Sequence, residues 1–276
     1  MGRTRKLRAA GYFRLRAETH RPESALRWPL HGTRPRFQKS MITTNETYQG
    51  TLIALASLSQ ELLAGKVKSA VFLSPIAYLS HIKSPIGVVA ARIFLGEITK
   101  LFGIAEFNPL GDPARMLMTM LCSHPGINCF DILSSFTGPN CCMNASTING
   151  ILKNGPQPSS TKNMVHFAQM IRDGKLAKFD YGMADHNLMH YGEGLPPEYN
   201  LTRIPRDLPI FISYGGEDAL SVVEDVKMLE EKLQLHEEDK LHFHFVPQYG
   251  HADFVLGTNA KDIVYNHIIS FFIKYL

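Results

Sequence analysis

The chain has no apolar run approaching the roughly 20 residues that cross a bilayer. Even the stretch 53–63 is interrupted by Ser57, Ser59, Gln60 and Glu61, so we expect a soluble protein without a transmembrane segment. Acidic residues are scarce at the start: residues 1–40 hold only Glu18 and Glu23 against nine arginines and two lysines, a local charge of +9 within a total of +4, which leaves the remainder at −5. That basic segment lacks the continuous apolar core of a secretory signal peptide and the aromatic–basic interleaving of single-strand binders. Its Arg-rich, acid-poor character has a weak likeness to an organellar transit peptide. Pro22, Pro29 and Pro35, however, prevent one continuous amphipathic helix. We therefore expect residues 1–48 to be unstructured, with no nucleic-acid partner.

Cysteine is also scarce, and all four, Cys122, Cys129, Cys141 and Cys142, fall in one short region. Such clustering fits local disulfides in an oxidising compartment. Zinc is the competing reading, but there are no paired C-x-x-C knuckles and adjacent cysteines are awkward for tetrahedral ligation. No H-E-x-x-H helix is present either: His186 and His190 are four apart, but Asn187-Leu188-Met189 lies between them. Neither a metal nor a cofactor is expected. His81, His124, His166, His242 and His244 are read as surface or hydrogen-bonded structural residues. Sequons stand at Asn45, Asn144 and Asn200 and carry meaning only if the chain enters the secretory pathway.

What remains is globular in composition, with 276 residues, 45% hydrophobic and 20% charged, enough for one large domain or a core with an inserted cap. Apolar residues recur at helical spacing over 50–64, with Gly65 as a stop. Residues 67–74 then read as a buried parallel strand ending at Pro75. From about 76 to 164 the rhythm lapses into Met-, Phe- and Leu-rich pieces broken by turns such as Gly138-Pro139-Asn140, which we read as an inserted helical cap. A helix over 163–173 closes at Gly174. Strands at 210–214 and 241–246 then flank a helix at 222–233, and a helix over 260–275 ends the chain. The fold class is α/β.

Both late strands run into loops that carry functional residue types, Gly215-Gly216-Glu217-Asp218 after the first and Tyr249-Gly250-His251 after the second. In open parallel sheets, functional groups gather beyond the carboxyl ends of strands. An acid followed by a histidine across one helix and one strand is the order that an α/β-hydrolase triad requires. On position alone, a solvated turn aspartate and a surface histidine would fit equally.

Several motifs occur in order: Asn163-Met164-Val165-His166-Phe167, Gly174-Lys175-Leu176, Phe179-Asp180-Tyr181-Gly182, His190-Tyr191-Gly192 and Pro196-Pro197-Glu198-Tyr199-Asn200-Leu201-Thr202. They continue into Gly215-Gly216-Glu217-Asp218-Ala219-Leu220 and Tyr249-Gly250-His251-Ala252-Asp253-Phe254. Together they resemble the acid lipase family of α/β-hydrolases, the gastric and lysosomal lipases and above all their plant relatives, from Gln49 to the C-terminus. The resemblance implies the C-terminal part of an α/β-hydrolase fold, residues 49–276, with the early strands missing. It also implies Asp218 as triad acid, His251 as triad base, and lipid esters such as triacylglycerols or sterol esters as substrates. The family is secreted, vacuolar or lysosomal, whereas this chain shows no signal peptide.

The family's serine stands in a G-H-S-Q-G turn, where a tight strand-to-helix elbow exposes the hydroxyl and the next N–H serves the oxyanion hole. Here Glu46-Thr47-Tyr48 precedes Gln49-Gly50, so Tyr48 occupies the serine's place and Gln49 that of the oxyanion donor. A phenol projects several ångströms farther than a serine hydroxyl, and Glu46 removes a glycine that lets the turn close. The expectation is a truncated lipase homologue without its nucleophile and therefore inactive. The alternative is a remnant that binds lipid or a protein partner without catalysis. Asp253 is read as structural, a residue that could orient its loop.

Overall fold

A computed structural model describes residues 42–43, 49–63, 65–101, 103–107, 129–144, 146–147, 150 and 159–275, all within one unit, residues 39–276. In chain order its elements are β1 (Ile42–Thr43), α1 (Gln49–Ser59), β2 (Ala70–Leu73), α2 (Pro85–Arg92), α3 (Leu95–Leu101), β3 (Glu106–Phe107), α4 (Cys129–Thr137), β4 (Ser159–Ser160) and α5 (Thr161–Asp173). They continue with α6 (Ala184–Tyr191), β5 (Ile210–Gly215), α7 (Val223–Leu233), β6 (Leu241–Val246), α8 (Asp253–Leu256), a π-helical turn at Lys261–Tyr265, and α9 (Asn266–Lys274).

The main sheet has the order β1-β2-β5-β6 and every pairing is parallel. Parallel strands are buried on both faces, so nearly every residue must be apolar, and alternate residues serve opposite cores. Ala70, Phe72, Ile210 and Ile212 join Leu55, Leu58 and Leu229 on one side. Val71, Leu73 and Phe211 join Val246, Phe254 and Phe271 on the other. The helices over these faces have the matching stripe, as in α7, where Val226, Leu229 and Leu233 are buried. Residues 74–209 form one long insertion between β2 and β5, strands that are hydrogen-bonded neighbours. It contains the helices α2 to α6 and the antiparallel pair β3–β4.

Several expectations need correction. Segment 1–48 is not wholly irregular, because Ile42–Thr43 pairs in parallel with Ala70 and Val71. Among the described residues the main sheet accordingly has four strands, one more than the three read from the sequence. The first helix ends at Ser59 rather than near Ala64: Glu61 turns into the left-handed region at φ 60, and its carboxylate meets Arg203 at 2.8 Å. The second strand is shorter than read, four residues at Ala70–Leu73. The closing helix is preceded by a π turn and by the separate α8. By contrast, α5 ends as expected on left-handed Gly174 (φ 66), with Ser160 capping its start through Asn163 N–H.

The histidines fit structural readings. His166 Nε2 lies 2.8 Å from the Ala177 carbonyl, His244 Nδ1 lies 2.9 Å from Ser213 Oγ, and His242 Nε2 lies 2.9 Å from Tyr275 OH. His190 stacks on Tyr181, and His81 Nδ1 sits 2.8 Å from buried Asp225. His124 lies outside the described residues. Burial is the first cause that pushes His166, His236, His242 and His244 below the usual imidazole value of 6.5. A histidine depressed in the folded state stabilises fully above its unfolded value, and that stability is lost as pH falls through the folded one. The urea midpoint is therefore expected to fall between about pH 7.5 and about pH 5, measured by tryptophan-independent far-UV circular dichroism. An unchanged or higher midpoint at the acid end would contradict this account.

Candidate active site

Parallel pairing puts the carboxyl ends of β1, β2, β5 and β6 on one edge of the sheet, so the loops that leave them meet there. The start of α1 belongs to the same edge: Thr51 Oγ1 accepts the N–H of Ile76, just beyond β2, at 3.1 Å. Gln49 is the first residue of α1, whereas Tyr48 lies outside the described residues. The β2 and β5 loops are tied by Ser221 Oγ, which donates to the Pro75 carbonyl at 2.7 Å. The N–H groups of Lys83 and Ser84 donate to the Ala219 carbonyl at 2.8 and 3.2 Å.

The β5 and β6 loops approach so closely that no side chain fits between their first residues. A Cβ on Gly216 would lie 2.3 Å from the Pro247 carbonyl oxygen. Glu217 N–H donates to the Tyr249 carbonyl at 3.1 Å. This closure brings the two triad candidates together. His251 Nδ1 lies 2.9 Å from Asp218 Oδ2 and 3.1 Å from Oδ1. A carboxylate can only accept, so Nδ1 carries the hydrogen and Nε2 becomes the acceptor nitrogen of the neutral ring.

The Asp218 side chain is wholly buried. Its Oδ1 also accepts the N–H groups of Leu220 and Ser221, both at 2.8 Å. These directed N–H groups hold the carboxylate in one orientation, which is what fixing a histidine tautomer requires.

What spans the two loops was not legible from residue types. Residues 137–142, read only as a turn within the insertion, lie against both. The Thr137 carbonyl accepts His251 N–H at 3.0 Å and Ala219 N–H at 3.3 Å. Gly138 follows at φ 86, and a Cβ there would stand 2.0 Å from the Glu217 carbonyl oxygen, so only glycine permits this approach. Asn140 Oδ1 accepts the N–H of Ala252 at 3.1 Å, and its Nδ2 donates to Thr137 Oγ1 at 2.7 Å. A helix C-terminus followed by Gly-Pro-Asn was the visible signal, but nothing local says where such a turn docks.

Cys141 and Cys142 are joined to each other in a disulfide, a pairing the sequence left open. Cys122 lies outside the described residues. With Asp253 they form the one His/Cys/Asp/Glu cluster tight enough for a metal among the described residues. The sulfurs are committed to the disulfide, and both Asp253 oxygens accept backbone N–H groups. That donor set does not suit a cation.

No family model matches the chain. Over 223 residues it is 49% identical to triacylglycerol lipase 2 of Arabidopsis thaliana, covering 81% of this chain and 53% of that protein. It is 31% identical over 234 residues to the lysosomal acid lipase/cholesteryl ester hydrolase of Rattus norvegicus, covering 82% and 56%. The chain belongs to the acid lipase family of α/β-hydrolases. It spans about half the length of the curated relatives it matches. Among solved structures, a soluble variant of monoglyceride lipase from Saccharomyces cerevisiae shares 16% identity at a TM-score of 0.46, covering 82% of this chain and 59% of that one.

Replacing Asp218 with alanine would leave the Leu220 and Ser221 N–H groups and His251 Nδ1 without their acceptor. Buried donors stripped of a charged partner cost about 2–3 kcal/mol, to be read as a lowered urea midpoint for Asp218→Ala. A loss under about 0.5 kcal/mol, typical of a surface change, would mean that the carboxylate is not the junction described.

Proposed function

We propose that Asp218 and His251 are the acid and base of a serine-type ester hydrolase site, and that this chain holds them without a working nucleophile. The observation that carries the reading is the 2.9 Å contact of His251 Nδ1 with a buried, N–H-fixed carboxylate at the carboxyl edge of a parallel sheet. In such a site the serine attacks the ester carbonyl. The histidine takes the serine's proton and delivers it to the leaving alcohol, and the aspartate stabilises the imidazolium. The relatives named for triacylglycerol and cholesteryl ester support lipid esters as the substrate class.

Residues 49–276 are, in this reading, part of an α/β-hydrolase domain, and about 76–164 are its cap. Gln49, opening α1, would supply an oxyanion N–H. Tyr48 in the serine's place cannot present its oxygen to the same point, so ester turnover is lost. Residual rate from positioning alone is then the ceiling.

The second reading, lipid binding without turnover, has its own support. On α2 and in the turn that follows it, Val89, Ile93 and Phe94 are about half exposed, at 56%, 54% and 50%, and apolar side chains open to water there suit acyl chains. The Cys141–Cys142 disulfide and the exposed Asn144 and Asn200, whose Oδ1 atoms accept from Ser146 and Thr202 hydroxyls at 2.6 and 2.7 Å, support an oxidising, glycosylating compartment.

The test is turnover of a short-chain p-nitrophenyl ester together with fluorophosphonate labelling, for the chain and its His251→Ala variant. We expect neither labelling nor His251-dependent turnover. Labelling and turnover that both vanish in His251→Ala would show that another serine completes the site.

A further inference from the structure

Asp253 is fully buried, yet the acid–base reading gives it no chemistry. It opens α8 two residues after His251, and its carboxylate accepts three backbone N–H groups. One, at 2.9 Å, comes from Gly250, which immediately precedes His251. The other two come from Cys141 and Cys142, at 3.0 and 3.1 Å, more than a hundred residues earlier in the chain. A buried carboxylate is costly unless it is hydrogen-bonded. Here every donor belongs to the backbone of one of two segments, the histidine loop and the strap 137–142.

We propose that Asp253 is a positioning residue for His251, acting by fastening the strap 137–142 to the histidine loop. The proposal rests on the reading of Asp218 and His251 as the acid–base pair. The fastening is distributed over the strap. At one end the Thr137 carbonyl receives the N–H groups of His251 and Ala219, one from each loop. In the middle Asn140 Oδ1 receives Ala252 N–H. At the far end Asp253 receives Cys141 and Cys142. The side-chain bond from His251 to Asp218 thus lies parallel to a backbone bridge between the same two loops. Without Asp253 the far end of that bridge keeps only the Cys142 carbonyl's bonds from Thr258 N–H and Oγ1, at 2.7 and 3.1 Å, which tie it to a residue beyond α8 and not to the histidine loop itself, and His251 can turn away from Asp218 although neither residue has changed.

Burial raises the Asp253 carboxyl while the three N–H groups pull it down, and the balance stays raised. Burial also keeps the Tyr249 and Tyr265 phenols neutral, with Tyr249 OH donating to Asn259 Oδ1 at 2.7 Å and Tyr265 OH to the Phe254 carbonyl at 2.8 Å. The three hydrogen bonds to the Asp253 oxygens all come from backbone N–H dipoles.

The test is the downfield Nδ1–H proton resonance of His251 in the full chain with nitrogen-labelled histidine, compared among wild type, Asp218→Asn, Asp253→Asn and Tyr249→Phe. In Asp253→Asn an NH2 group replaces one acceptor oxygen and faces a backbone donor. The Nδ1–H resonance is expected to disappear or move upfield, as in Asp218→Asn, with circular dichroism unchanged. Tyr249→Phe loses only the bond to Asn259 and is expected to keep the resonance, which separates positioning from general loosening of the loop. If Asp218→Asn leaves the resonance untouched, the acid–base reading itself fails. If Asp218→Asn abolishes it and Asp253→Asn does not, the positioning role alone is overturned. Should Asp253→Asn not fold, Asn140→Ala removes another bond of the same bridge. Weakening of the resonance there supports the role, and an unaltered resonance overturns it.

Discussion

One backbone oxygen, the Thr137 carbonyl, accepts an N–H from the residue after Asp218 and another from His251 itself. The geometry of the candidate site depends on that shared acceptor, because it belongs to neither strand loop and fixes both. Side-chain hydrogen bonds between exposed loops are weak in isolation, as each must overcome the entropy of ordering two flexible segments. Here the ordering is already supplied by backbone contacts, among them Glu217 N–H to the Tyr249 carbonyl. Little freedom is left to lose when His251 meets Asp218.

The rigid platform beneath is the parallel sheet. Its alternate residues feed two separate cores, so the Asp218 loop could not move without dragging β5, a strand buried on both faces, and β6 is hydrogen-bonded to β5 along its whole length. The insertion between β2 and β5 adds the strap, and with it a dependence of the acid–base geometry on residues that come from outside the sheet. Entry to the insertion is held at the same place, since Lys83 and Ser84 N–H groups bond to the Ala219 carbonyl.

Much of this was legible in the sequence for physical reasons that can be named. The bounds of β6 and α7 follow from periodicity, and the end of α5 from Gly174, whereas its start at Thr161, capped by Ser160, comes two residues before the expected Asn163. Asp218 and His251 were candidates because strand, turn chemistry and residue type coincided, and the family resemblance, not position, set them apart from a solvated turn aspartate and a surface histidine. The short β1 was hidden, since two residues carry no period. The early end of α1 was hidden because Leu62 and Leu63 continue an apolar pattern past the point where Glu61 reverses the chain. The strap was hidden for a different reason: its contacts run through main-chain atoms to partners about eighty to more than a hundred residues away. Backbone donors and acceptors are the same at every position, so residue identity does not encode such pairings. Asp253 shows the boundary well, recognisable as a loop-orienting residue but not as the fastener of a distant segment.

The central claim is that the loops of Asp218 and His251 are one mechanical unit held through Thr137. Native-state hydrogen exchange of the Ala219 and His251 amides, which share that acceptor, tests it most directly. Both amides are expected to exchange through a common opening, with free energies equal within about 0.5 kcal/mol and the same denaturant dependence. An Ala219 amide that stays protected while that of His251 exchanges through fast local fraying would contradict it.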